Sequence, residues 1–247
     1  MPLRWLMAAN VPAASALSSV RTEKDLLALA SPLEDSGKGT MVMSASGTVE
    51  SAGSAAEVSA QLTRLASKVT IRRIDPQYLR GESHGEVKLS RVFLTNVMGS
   101  CPYTAEPWTA GPWLNRGGWD ASLPDGLKAM LGTSPSVILD GSPAEGPWSL
   151  TASPNPVDNG VWGGGEWTPR NTRLVVELTE DGRPVWYPVT LPPMECGTEY
   201  IITEARLTGP GSDDPDTPVG RMGISVSLTL RTWDGQEHRM ELTDQPG

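Results

Sequence analysis

Histidine is nearly absent, with two in 247 residues, and phenylalanine occurs once. His84 falls in a polar, turn-rich stretch and His238 near the C-terminal end, and neither has the Ser, Cys or carboxylate company of a nucleophilic site. No GxSxG, phosphate-binding glycine loop or HExxH pattern occurs, so neither an enzymatic role nor a cofactor is expected. Basic residues are outnumbered, 20 Lys and Arg against 29 Asp and Glu for a net charge of −9. This disfavours a nucleic-acid partner, because phosphate recognition needs clustered cations. Arg72-Arg73 is the one basic pair on a strand-like segment and reads as a solvated face or edge. No apolar run approaches the roughly 18 residues that span a bilayer, and the opening MPLRWLMAANVPA lacks the charged, apolar and cleavage regions of a signal peptide. Cysteine is limited to Cys101 and Cys196, with no CxxC or Cys/His metal spacing; the pair allows one disulfide in an oxidising compartment or two free thiols.

What the chain does have is glycine, 26, and proline, 22, with strand-like runs between turn signals, which favours an all-β class. The clearest run is 224–231, where Ile224, Val226, Leu228 and Leu230 alternate with Ser225, Ser227, Thr229 and Arg231, the period of a half-buried antiparallel strand. A Tyr200–Leu207 strand precedes it across the acidic turn SDDPDTP, and TRLVVELT-EDGR-PVWYPVTL reads as a hairpin because Asp-Gly tolerates positive φ. Upstream lie strand candidates RWLMAANV, MVMSASGTVE and AQLTRLASKVTIRRI, the last with Leu65, Val69 and Ile71 in one parity. One helix is expected between Ser19 and Leu33, capped by Thr22, with Leu26, Leu27, Leu29 and Leu33 as its apolar face. In EVKLSRVFLTNVMG the parity slips between Leu89 and Val92, which a β-bulge or burial on both faces explains. The polar stretch 75–86 suggests a domain boundary, giving an N-terminal β-sandwich domain over 1–79 and a C-terminal one over 80–247 with an irregular insert at 100–165.

That insert holds Trp108, Trp113, Trp119, Trp148 and Trp162, five of nine tryptophans. Trp108, Trp113 and Trp119 are candidate glycan contacts, since an indole offers a flat apolar face and an N–H donor; packing of a long loop onto the sandwich explains them as well. Asp213, Asp214 and Asp216 have calcium-ligand chemistry but not the spacing of the twelve-residue calcium loop, and aspartate is a common turn former. A disulfide between Cys101 and Cys196 would tie the first strand of the second region to its last hairpin.

Taken in order, SPNP (153–156), TRLVVEL, WYPVTLP, the Tyr200 strand, GPGSDDPDTPV and an alternating strand ending at Trp233 resemble the C-terminal domain of the FimA/Mfa-type fimbrillins, pilus subunits of Bacteroides-like Gram-negative bacteria. RWLMAANVP, TEKDLLAL, MVMSAS and RLASKVTI are similar to that family's N-terminal domain, and VFLTNV to the strand that opens its C-terminal domain. The likeness covers most of the chain except the tryptophan-rich insert, and GPGSDDPDTPV is its most specific element. Glu195-Cys196 stands where the family has Arg-Asn. The N-terminal domain is short by family standards, without an export signal or lipobox cysteine, so a truncated or mature-like chain is expected. The resemblance implies two transthyretin-like β-sandwich domains, the first incomplete. It also implies export through the periplasm as a lipoprotein precursor and assembly at the outer membrane into an adhesive surface fimbria with other fimbrial subunits. Assembly would proceed by strand exchange, and a surface receptor is a further possible partner. A sandwich lacking an edge strand offers unpaired N–H and C=O groups beside an apolar groove, which a neighbour's strand would satisfy. The candidate donor is the C-terminal stretch with Met240 and Leu242 alternating with Glu241 and Thr243 after Asp234-Gly235. Pairing of this tail within its own domain would instead suit an anchor, tip or accessory subunit. The competing reading is a non-polymerising glycan-binding module built on the tryptophan-rich insert.

Overall fold

A computed structural model describes residues 2–12, 18–37, 41–50, 57–81, 84–104, 111–162, 165–219, 223–232 and 237–243, with backbone alone at 232 and 237–243. The N-terminal part contains β1 (Pro2–Ala9), α1 (Glu23–Leu27), β2 (Ala30–Pro32), β3 (Met43–Glu50), β4 (Thr63–Arg64) and β5 (Ser67–Asp75). Then come β6 (Val87–Thr95), β7 (Val97–Met98), β8 (Ser100–Pro102), β9 (Trp113–Leu114), α2 (Asp125–Leu131), β10 (Gly132–Thr133), β11 (Val137–Leu139) and β12 (Ala144–Ala152). The chain closes with β13 (Arg173–Glu180), β14 (Arg183–Thr190), β15 (Thr198–Leu207), β16 (Ile224–Thr232) and β17 (Glu237–Thr243).

These strands form an all-β sandwich. One sheet runs β12-β5-β15-β16-β17 and the other β10-β6-β13-β14, with β11 also on β6. The period-two pattern of β16 does what it predicts: Ile224, Val226 and Leu228 are buried while Ser225 and Ser227 stay half-exposed. They meet Val69 and Ile71 of β5, Tyr200 and Ile202 of β15, and Leu94, Leu174 and Val176 from the facing sheet in one apolar core. β13 and β14 join through Asp181 and Gly182, both at positive φ (47° and 81°), the conformation that lets a two-residue turn follow the twist of its strands. The parity slip in β6 is a bulge. Glu177 pairs with Arg91 and the next residue, Leu178, with Leu89, leaving Ser90 as the extra residue.

At β6 and β13 both faces of this second sheet are buried. Leu94 and Leu174 point to the core, whereas Phe93 and Val175, paired with each other, lie on the opposite face and are equally inaccessible. The tryptophan-rich insert covers them, with the Trp119 ring edge-on to Phe93 at 5.6 Å.

Several expectations change. Helix α1 has the predicted cap, Thr22 and Asp25 forming a reciprocal capping box, but ends at Leu27. Ala30–Pro32 is instead a strand paired with Ser100–Pro102, as Pro32 cannot continue a helix. The insert is less irregular than expected: it contains α2 and the nine-residue β12. A boundary after residue 79 would separate β5 from β12 and β15, its partners on either side.

Candidate functional site: an open strand edge, a pocket and a thiol pair

β1 and β3 pair antiparallel over eight residues, from Pro2 opposite Glu50 to Ala9 opposite Met43. Directly opposed residues share a face, so Leu3, Trp5, Met7 and Ala9 lie beside Val49, Gly47, Ala45 and Met43 on a wholly apolar surface. Leu3 is 53% and Met7 44% exposed. The Trp5 ring lies against Gly47 so closely that a Cβ there would come within 2.9 Å of it. On the other face Leu6 and Ala8 pack on a small core of Val42, Leu65, Cys101 and Tyr103, and Ser44 Oγ donates to the Tyr103 carbonyl at 2.7 Å.

Beyond β1, β3 is barely covered. β4 pairs only with Met43 and Ser44, so among the described residues the edge from Ala45 to Glu50 meets no strand on that side. Unpaired strand amides of this kind are a ready template for another chain. A pocket of about 470 Å³ adjoins the edge at Ser44, Ala45 and Ser46, walled by Leu65, Tyr103 and Cys196.

Cys101 and Cys196 meet at this wall with their sulfurs 3.6 Å apart, both as free thiols. Cys101 is held by β8 pairing with β2, opposite Ser31. Cys196 is held from the main sandwich: the Tyr200 hydroxyl accepts from Glu195 N–H (2.9 Å) and donates to the Pro193 carbonyl (3.0 Å), and Gly197 N–H donates to the Ala66 carbonyl. Burial pushes the Tyr200 hydroxyl up to about 12, so it stays a neutral donor. The hydrogen bond between the thiols, reinforced by burial, pushes Cys101 up, while the same bond draws Cys196 down. Further along β15, burial alone would raise the Glu199 carboxyl, but Arg231, Thr70 and Lys68 outweigh it and hold the group below its ordinary range.

The aspartates and tryptophans form a second cluster. Asp216 takes ion pairs from Arg170 and Arg173, both buried, while Asp213 and Asp214 are exposed. The Arg173 guanidinium sits 3.6 Å from the Trp162 ring. Two cations therefore already occupy the Asp216 carboxylate, and the described residues contain no group of three or more potential metal ligands. Trp113 and Trp119 are not brought together by ring contact. Trp113 packs at a tilt against Trp167, ring centroids 5.2 Å apart, and the Trp167 ring also meets Arg116 and Arg170, whereas Trp119 lies between Phe93 and Arg91. Trp108 falls outside the described residues, as do Trp233 and the Asp234-Gly235 turn. β17, bearing Met240 and Leu242, is an edge strand on β16, with Leu228 opposite Met240 and Val226 opposite Leu242.

Sequence reasoning missed the buried asparagines. Asn155, in SPNP, donates to the Arg170 carbonyl and Thr172 hydroxyl, while its backbone pairs with Met194; Asn115 donates to the Leu94 carbonyl. The Pro-Asn-Pro context was the available signal, since asparagine commonly bonds to nearby backbone in turns.

No family model matches the chain, and no curated protein matches it in sequence. Its fold is similar to that of a candidate cell adhesion protein from Bacteroides eggerthii, at 18% identity and TM-score 0.63, over 93% of this chain and 78% of the other. Two candidate cell adhesion proteins from Parabacteroides distasonis are comparable. One shares 14% identity at TM-score 0.62, covering 94% and 83% of the respective chains. The other shares 17% at 0.60, covering 92% and 75%.

Proposed function

We propose that this chain is a structural or accessory subunit of a cell-surface fimbria, joined to other fimbrial subunits by β-strand exchange and serving adhesion without catalysis. The observation that carries the reading is the open edge of β3 at Ala45–Glu50, beside an apolar pocket. A strand added along this edge, which among the described residues meets none beyond Ser44, would supply backbone partners and cover apolar surface together. The shared fold with candidate cell adhesion proteins of Bacteroides and Parabacteroides supports it, as do the fimbrillin-like segments around GPGSDDPDTPV. Within the proposal belong membership of the FimA/Mfa type, transthyretin-like halves, and export through the periplasm as an outer-membrane lipoprotein precursor. For the glycan-binding alternative, Trp113 is engaged by the Trp167 ring and Trp119 by Phe93 and the Arg91 guanidinium, while Trp108 lies outside the described residues.

The proposed donor is a neighbour's C-terminal strand. β17 is paired within its own chain on β16, and among the described residues it hydrogen-bonds to that one strand only, so its release would break a single ladder. Deletion of residues 236–247 is expected to abolish oligomer ladders on gels while the monomer keeps its β circular dichroism. Unchanged ladders would remove the tail from the subunit junction.

A further inference from the structure

We infer that Cys101 and Cys196 close into a disulfide when the folded chain meets a disulfide-bearing oxidant, stapling the small N-terminal core to the main sandwich beside the open β3 edge. Two independent anchors bring the sulfurs to 3.6 Å. One is the β2–β8 ladder and the other the Tyr200-held turn before β15. A bonded pair needs about 2.05 Å, a gap that side-chain rotation and a small backbone adjustment can close.

The two thiols are not equivalent. Cys101 is 2% exposed, whereas Cys196 is half-exposed on the pocket wall and is the sulfur drawn toward the thiolate. Cys196 is therefore the attacking group. Its thiolate bonds to one sulfur of the oxidant's disulfide and expels the other as a thiolate. Cys101 then loses its proton and attacks the Cys196 sulfur of the mixed disulfide, expelling the second oxidant thiolate. One electron pair passes from the protein to the oxidant, and the two protein protons go to the two leaving thiolates.

The cysteines are 95 positions apart, so the bond closes a long loop and removes many conformations from the unfolded chain. It also fixes β8, and through Tyr103 the Ser44 end of β3, against the main sandwich. The inference does not depend on strand exchange, because it concerns the single folded chain.

The test treats the reduced, folded full chain with oxidised glutathione, then measures intact mass, titratable thiols and the non-reducing peptide map. The expected product is lighter by two hydrogens, has no titratable thiol, contains one linked Cys101–Cys196 peptide, and unfolds at higher urea than the reduced chain. In Cys101→Ser the same treatment should stop at a single glutathione adduct on Cys196. Two thiols surviving this treatment in the unsubstituted chain, or glutathione retained on its Cys196, would overturn the bond. An oxidised chain with the urea midpoint of the reduced one would overturn the staple.

Discussion

Asp216→Ala is expected to lower the unfolding free energy by about 3–5 kcal/mol, the usual cost of leaving a buried charge without its partner. Here one carboxylate, itself mostly covered, serves two buried guanidiniums: Arg170, with its side chain 3% exposed, and Arg173, at 0%. Removing it leaves both cations away from water, with the Thr168, Val161 and Asp216 backbone carbonyls and indole rings among their remaining contacts. Those contacts do not replace a full negative charge. Urea denaturation measures the loss, and Asp213→Ala, three positions upstream and exposed, is the control expected to change stability by less than about 0.5 kcal/mol. If both substitutions cost the same small amount, Asp216 is only a turn residue. A large loss confined to Asp216→Ala makes the acidic turn a clamp that fixes the β15–β16 connection to β13, rather than a cation site.

The second large effect lies on the same face of the same sheet, where Val175 shares the parity of Arg173. Phe93→Ala is expected to cost about 3–5 kcal/mol, through lost burial and a cavity its neighbours cannot fill. Phe93 is fully buried, opposite Val175 and under Trp119. Gly132 leaves little slack, since a Cβ there would lie 3.0 Å from Phe93 Cβ and 2.5 Å from the Trp119 ring. Trp119→Ala should also destabilise, but by less, because its ring is only half-buried. A cost below about 1 kcal/mol for Phe93→Ala, well under the range for such cores, would mean that the insert does not pack on the sheet.

These two sites mark where the sequence was legible and where it was not. Local patterns carried well: the alternation in β16, the slip that became the Ser90 bulge, and the Asp-Gly turn each depend on neighbours within a few residues. β12 escaped notice because Gly146 and Pro147 interrupt it, yet it lies at a sheet edge, where a missing N–H is tolerated. The allegiance of β5 was equally hidden, because its parallel pairing with β15 joins Lys68 to Glu199 across most of the chain, and nothing in a period-two pattern names the partner strand. Asp216 looked like one of three turn aspartates; only the fold brings Arg170 and Arg173 to it. For the incomplete N-terminal sandwich read from the sequence, the location we propose is the edge of β3 from Ala45 to Glu50.

Backbone hydrogen exchange across Met43–Glu50, compared between the monomer and the assembled fibre, tests strand exchange most directly. An edge left open in the monomer should exchange rapidly at the amides facing away from β1, and strand addition should slow those amides by orders of magnitude while the β1-facing ones change little. Equal exchange at this edge in monomer and fibre would contradict assembly through β3.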